Sequence, residues 1–159
     1  MNPLPPRPVS LADKVNDFDC GNLDINEWLA KRALNNERRG ISRTMVSTGA
    51  DTGQIAGFYS LSAWSIDRRT ISGWLARNSP DPIPVILLGQ LSTSIEARGI
   101  GLGVDLLTHA VNAAHLAASV LGARALVTEA IDDSAGEFYA HLGLIRVTGR
   151  KNLYALSLH

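Results

Sequence analysis

A single cysteine, Cys20, stands in 159 residues, so no disulfide can form within the chain. A lone thiol agrees with a reducing compartment. No apolar run reaches the roughly 18 residues that a membrane-crossing helix needs. Met1 to Pro8 is proline-rich and lacks the apolar centre of a signal peptide. The four histidines, at 109, 115, 141 and 159, are not spaced with cysteines or carboxylates as metal ligands are. An excess of one charge is also missing, with 15 basic residues against 15 acidic. These absences argue against a secreted, membrane-spanning or metal-dependent protein. A cytoplasmic chain is expected, and at 45% apolar and 19% charged it can bury a core and fold. Its length suits one domain over residues 1–159, with 1–7 as a flexible N-terminus.

The most informative stretch present is Gln90-Leu-Ser-Thr-Ser-Ile-Glu-Ala-Arg98-Gly99-Ile-Gly101-Leu-Gly103. It reads as a buried strand, a short glycine-rich turn and the start of a long helix. Glycines at alternate positions remove Cβ atoms where the backbone must come close to something. A helix N-terminus behind them presents unpaired N–H groups and a positive dipole end. With Arg98 leading in, the combination suits a diphosphate. A P-loop is excluded, since no lysine follows the glycines. The dinucleotide fingerprint is excluded as well, since the third glycine comes one residue early. A turn that merely packs a helix on a sheet would also use glycines here.

The zero net charge hides a distribution. Between residues 31 and 77, Lys31, Arg32, Arg38, Arg39, Arg43, Arg68, Arg69 and Arg77 oppose only Glu37, Asp51 and Asp67, a net of +5. Such a segment can form a face for a polyanion. A solvated helix surface and loop would read the same way.

Along the chain, Asp24-Ile-Asn-Glu27 resembles a capping box, and a helix is expected from there to about Arg38, stopping near Gly40. Ser42–Thr48 and Gln54–Ser65 read as a hairpin around Gly49–Gly53. Asn78–Pro84 holds three prolines and reads as an extended loop. Val85–Leu88 is an apolar run suited to a strand buried on both faces, continuing to about Ser94. A helix over 101–121, a strand over 125–130, a short helix over 134–141 and strands near 144–148 and 152–158 follow. This order predicts an α/β domain with a mixed sheet.

Arg98-x-x-Gly101-x-Gly103 resembles the coenzyme A pyrophosphate loop of the GNAT superfamily of N-acetyltransferases. Four further blocks resemble one branch of it, the toxins of type II toxin–antitoxin pairs that acetylate aminoacyl-tRNA. They are Phe18-Asp-Cys20-Gly21-Asn22 through Trp28-Leu29; Arg43-Thr-Met-Val46 with Ile55-Ala-Gly57-Phe-Tyr59; Pro82-Ile-Pro84-Val-Ile-Leu-Leu88-Gly89; and Ala130-Ile-Asp-Asp133-Ser-Ala135-Gly-Glu-Phe138-Tyr139-Ala-His-Leu-Gly143. Together they span roughly residues 8–157.

The resemblance implies the GNAT acyltransferase fold, a mixed twisted sheet flanked by helices with splayed central strands holding acetyl-CoA. It implies Tyr139 as the general acid that protonates the departing thiolate, although a tyrosine after Phe138 could also be a core aromatic. It implies that Leu91, Ser92 and Thr93 pair with the pantetheine arm and present an N–H to the thioester carbonyl. Arg98, Gly99, Ile100, Gly101, Leu102 and Gly103 would hold the pyrophosphate through main-chain N–H groups. Asp133, Ser134 and Phe138 would line the pantetheine, with Ser134 alternatively a helix N-cap. Lys31, Arg32, Arg38, Arg39, Arg43 and Arg77 would bind the tRNA backbone. A base is less needed, because an α-amine titrates near 7.7–8.0; Glu129 and His141 are the candidates if one exists. The implied partners are a ribbon-helix-helix antitoxin, aminoacyl-tRNA as substrate, promoter DNA through the antitoxin complex only, and a second copy in a homodimer. The chain departs from the branch at Gln90, where an arginine is common, and at Leu144, where a phenylalanine is. Two rival readings are a GNAT enzyme for a small amine or protein N-terminus, and a non-catalytic acyl-CoA-binding module.

Overall fold

A computed structural model describes residues 2–159. Seven strands hydrogen-bond in the order β1-β2-β3-β4-β5-β7-β6. They are β1 (Arg7–Pro8), β2 (Arg43–Thr48), β3 (Ile55–Ile66), β4 (Ile83–Thr93), β5 (Ala125–Glu129), β6 (Ile145–Arg146) and β7 (Leu153–Ser157). Four helices accompany them: α1 (Leu23–Lys31), α2 (Ala33–Arg39), α3 (Leu102–Ala118) and α4 (Asp133–His141). The β1–β2, β2–β3, β5–β7 and β6–β7 pairs are antiparallel and β4–β5 is parallel, so the sheet is mixed, as the element order predicts. The chain divides into two compact units, one of Met1–Ser62 with Gln90–Ala110 and one of Ala63–Gly89 with Val111–His159.

In the first unit, β2 and β3 form the expected hairpin, in register from Arg43↔Leu61 to Ser47↔Gly57 with an irregularity before Thr48. The stretch read as a flexible N-terminus runs beside β2. Leu4 N–H donates to the Thr48 carbonyl (2.8 Å) and Ser47 Oγ donates to the Leu4 carbonyl (2.7 Å). The first helix differs from expectation at both ends. Its cap is Asn22, not Asp24: the Asn22 side-chain oxygen accepts from the N–H groups of Asp24 (3.0 Å) and Ile25 (3.2 Å). Asp24 then sits in the first turn, where its charge suits the helix dipole. Glu27 faces Lys31 one turn on, at 3.8 Å. The helix also breaks at Arg32 (φ −115°), and α2 continues to a left-handed Gly40. Leu29 and Ala33, on either side of that break, are fully buried against Phe58 and its neighbours. Phe58 meets the edge of Phe18 at 5.4 Å and stacks on Trp28 at 6.0 Å.

Gly57 sets the spacing between β3 and the elements over it. A Cβ there would lie 2.8 Å from Leu106 Cδ1, 3.1 Å from Leu102 Cδ2 and 3.0 Å from the Ser92 carbonyl. One turn along α3, Tyr59 Oη and His109 Nδ1 share a hydrogen bond at 2.6 Å. Burial pushes that phenol up to about 12, so it keeps its proton in the neutral range.

In the second unit, Ile66, Leu75, Ile83, Val85, Ala125, Val127, Val147 and Leu153 form one apolar core. β4 begins inside the stretch expected as a loop. Pro84 has no N–H to give, but its carbonyl accepts from Arg124 N–H at 2.8 Å. β7 lies between β5 and β6, pairing from Ala125↔Ser157 to Glu129↔Leu153. β6 stops at Arg146 rather than near Thr148: Val147 N–H still donates to the Leu153 carbonyl (2.8 Å), but Leu153 N–H turns back to the Arg150 carbonyl (3.3 Å).

Gly57→Val should be destabilising by about 1–3 kcal/mol, because the atoms it would meet include a backbone carbonyl that cannot move aside. Urea denaturation should show the lower midpoint; an unchanged midpoint would mean that β3 and α3 are not in close register.

Candidate functional site

The glycine loop leaves β4 through a short 3-10 turn, Ile95–Ala97. Ser94 N–H donates to the Ala56 carbonyl (2.7 Å), which ends the strand's pairing. Leu91, Ser92 and Thr93, just before, are half-buried. Gly99 and Gly101 have φ of 80° and 82°, the left-handed region that favours glycine. A Cβ on either would meet nothing within 4 Å, so the requirement is backbone conformation and the space over the loop is open. Ile100 between them is exposed. α3 then starts at Leu102, with Asp105 N–H closing onto the Gly101 carbonyl at 3.2 Å. Gly103 lies inside that first turn. The N–H groups ahead of it form the positive end of a 17-residue helix, which suits an anion.

Arg98 differs from its expected part. Its guanidinium donates to the Cys20 carbonyl at 2.5 Å, and its own N–H turns back to the Ile95 carbonyl at 3.4 Å. The cation therefore ties the loop to residues 19–21. There its charge adds to the hydrogen bonds from Gly21 N–H and Asn26 that hold the Asp19 carboxyl below its ordinary value. Gly21, at φ 87°, leaves just enough room; a Cβ would sit 3.1 Å from Arg98 Nη2.

In the other unit, β4 and β5 share a short parallel register, Ile86↔Leu126 and Leu87↔Val127. At the next residue the Leu88 carbonyl accepts instead from the side chain of Thr128, whose Oγ1 is 2.9 Å away and buried. α4 is capped by Asp132, whose carboxylate accepts from Ala135 N–H at 2.8 Å. Ser134 is thus not the cap; it and Asp133 are exposed in the first turn. Gly136 lets α4 close on β7, for a Cβ there would fall 2.5 Å from Tyr154 Oη. This packing buries Tyr139 to 7% exposure, with Phe138 edge-on at 5.5 Å and Tyr154 at 6.3 Å. Burial raises the Tyr139 phenol above its ordinary value, and a hydrogen bond with Thr128 pulls it partly back.

No protein-family model matches the sequence. A curated relative, the tRNA-acetylating toxin of Mycobacterium tuberculosis, is 40% identical over 136 residues, covering 86% of this chain and 81% of its own. The chain belongs to the tRNA-acetylating toxin family. Among solved structures, AtaT complexed with acetyl-methionyl-tRNAfMet superposes with a TM-score of 0.86 at 25% identity, over 96% of this chain and 93% of that one. A mutant AtaT toxin bound to the C-terminus of the antitoxin AtaR and acetyl-CoA superposes with a TM-score of 0.80 at 25% identity, over 96% and 92%. The α/β GNAT fold expected from the motifs is the fold observed.

For this toxin, the basic segment of residues 31–77 is divided between the two units. Lys31, Arg32, Arg38, Arg39 and Arg43 belong to the first unit, and Arg68, Arg69 and Arg77 to the second. Arg43 pairs with Glu37 at 2.5 Å, and Arg38 donates to Asn35 Oδ1. Arg69 pairs with Asp67 at 2.9 Å, and Arg68 donates to the Ser79 carbonyl at 2.8 Å. Of the two base candidates, Glu129 is 3.4 Å from Arg150 and His141 is exposed at the end of α4. Among the described residues no group of three or more His, Cys, Asp or Glu side chains is placed to hold a metal ion. No helix among them is long and apolar enough to cross a membrane.

Thr128 is the residue that motif reading missed. Its only signal is one hydroxyl in the run Ala125-Leu-Val-Thr-Glu129. Thr128→Val should raise the Tyr139 phenol further, because it removes the one influence that lowers it. The check is an ultraviolet phenolate titration, differenced against Tyr139→Phe in each background. Thr128→Ser should restore the native curve; identical curves for all three would show that the hydroxyl does not touch the phenol.

Proposed function

We propose that this protein transfers the acetyl group of acetyl-CoA to the α-amine of an aminoacyl-tRNA and so halts translation. Membership in the tRNA-acetylating toxin family carries this reading. The buried, protonated phenol of Tyr139 gives it a chemical agent. The amine attacks the thioester carbonyl carbon directly, with no enzyme-bound acetyl group. The carbonyl oxygen gains negative charge, and a main-chain N–H near Leu91, Ser92 and Thr93 receives it. The C–S bond then breaks, the sulfur takes the Tyr139 proton, and the amine's surplus proton leaves to water. Esterification removes the amino acid's carboxylate charge, so much of the amine is neutral near pH 7 before it attacks.

The N–H groups from Gly99 to Gly103 hold the pyrophosphate, with Arg98 bracing the loop from behind. Asp133, Ser134 and Phe138 line the pantetheine. Exposed Arg32, Arg38, Arg39 and Arg77 contribute tRNA backbone contacts, with Lys31 and Arg43 secondary because carboxylates already face them. The toxin works in the cytoplasm as a homodimer. It is neutralised by a ribbon-helix-helix antitoxin, and it meets promoter DNA only through that complex.

Tyr139→Phe should lower kcat by roughly 10²–10⁴-fold while leaving coenzyme A binding intact. Expression of the native chain should arrest growth, and the variant should not. Mass spectrometry of charged tRNA after incubation with labelled acetyl-CoA checks the substrate. Label on a free small amine or a protein N-terminus, with none on aminoacyl-tRNA, would sink the reading.

A further inference from the structure

The turn joining β6 to β7 carries a basic group that the count over residues 31–77 leaves out. Arg146, Val147, Thr148, Gly149, Arg150 and Lys151 line a recess of about 420 Å³. Arg146 and Lys151 are exposed, and Arg146 Nε donates to the Lys151 carbonyl at 3.0 Å. Arg150 is held from two sides, by Glu129 at 3.4 Å and by the Trp64 ring 5.9 Å beneath its guanidinium. Three cations thus stand on six residues, facing one carboxylate.

The turn is also rigidly built. Val147 is buried in the core and bonds to Leu153. Ser72 N–H donates to the Thr148 carbonyl at 3.0 Å. Gly149, at φ 101°, lies so close to the chain beside it that a Cβ would be 2.6 Å from the Thr70 carbonyl. Cations fixed in advance lose little freedom when an anion arrives. The recess is concave and rimmed by positive charge, which suits a phosphodiester backbone more than an isolated carboxylate.

We propose that the β6–β7 turn grips the sugar-phosphate backbone of the aminoacyl-tRNA substrate, with Arg146 and Lys151 on phosphates and Arg150 fixing the turn. This rests on the aminoacyl-tRNA reading and identifies where that substrate is held. It also relieves the segment of residues 31–77 of the whole electrostatic task.

The test compares the native protein with Arg146→Gln/Lys151→Gln in filter binding to deacylated tRNA across a salt series. The double variant should bind roughly tenfold more weakly, and the slope of log affinity against log salt should fall by about 2. Its kcat/KM for aminoacyl-tRNA should fall by a similar factor relative to that for 3′-aminoacyl-adenosine, which lacks the tRNA phosphates. Arg146→Lys/Lys151→Arg keeps both charges and should bind nearly as the native protein does, which separates lost charge from a damaged turn. A double-Gln variant with native affinity and native slope overturns the proposal. Failure of the native protein to acetylate any aminoacyl-tRNA would count against the proposed function instead, while the binding comparison still decides the turn.

Discussion

Thr128 has one hydroxyl proton, and the Leu88 carbonyl takes it at 2.9 Å. The same side chain lowers the Tyr139 phenol against the rise that burial causes. Much of the site depends on this small constraint. The rung that Thr128 supplies follows two parallel backbone pairs, where a side chain takes over as partner of a strand carbonyl. Gly136 lets α4 lie on Tyr154, which places the Tyr139 side chain in its buried position.

The order of strands and helices was legible because it rests on local signals: alternation in the hairpin, an apolar run in β4, glycine and proline at the breaks. Local signals with competing solutions were less legible. Asn22, Asp24 and Asp132, Ser134 are pairs of good caps two residues apart, and the choice falls to whichever residue has extended backbone there. In both cases it is the earlier one. The break at Arg32 is hidden for a related reason, since Leu29 and Ala33 keep helical spacing across it.

At the site, the left-handed turn of the loop was legible from glycine placement, whereas side-chain partners distant in sequence were not. Arg98 finds the Cys20 carbonyl 78 residues away, a pairing that no spacing rule anticipates. Charge behaved the same way. The +5 over residues 31–77 omits Glu27 and Asp81, which lie outside that window yet face Lys31 and Arg69. Conversely, Arg146, Arg150 and Lys151 sit in a segment of net negative charge, and only the turn gathers them. Thr128 was opaque for a simpler reason, because threonine is a good strand former and needs no other explanation in β5.

Burial of Tyr139 pulls the proposed chemistry in two directions. A phenol near 10 is a weaker acid than a thiol near 8.5, so full proton transfer to a free thiolate is uphill by about 2 kcal/mol. Desolvation of the phenol alone would make this worse. A sulfur leaving into the same dry surroundings, however, is also penalised as an anion, and its proton affinity rises with that of the phenolate. What matters is the difference between the two. Thr128 acts on the phenol's side of it, which it lowers. Burial keeps the acid protonated throughout the neutral range, and a single hydroxyl then narrows the gap that burial leaves.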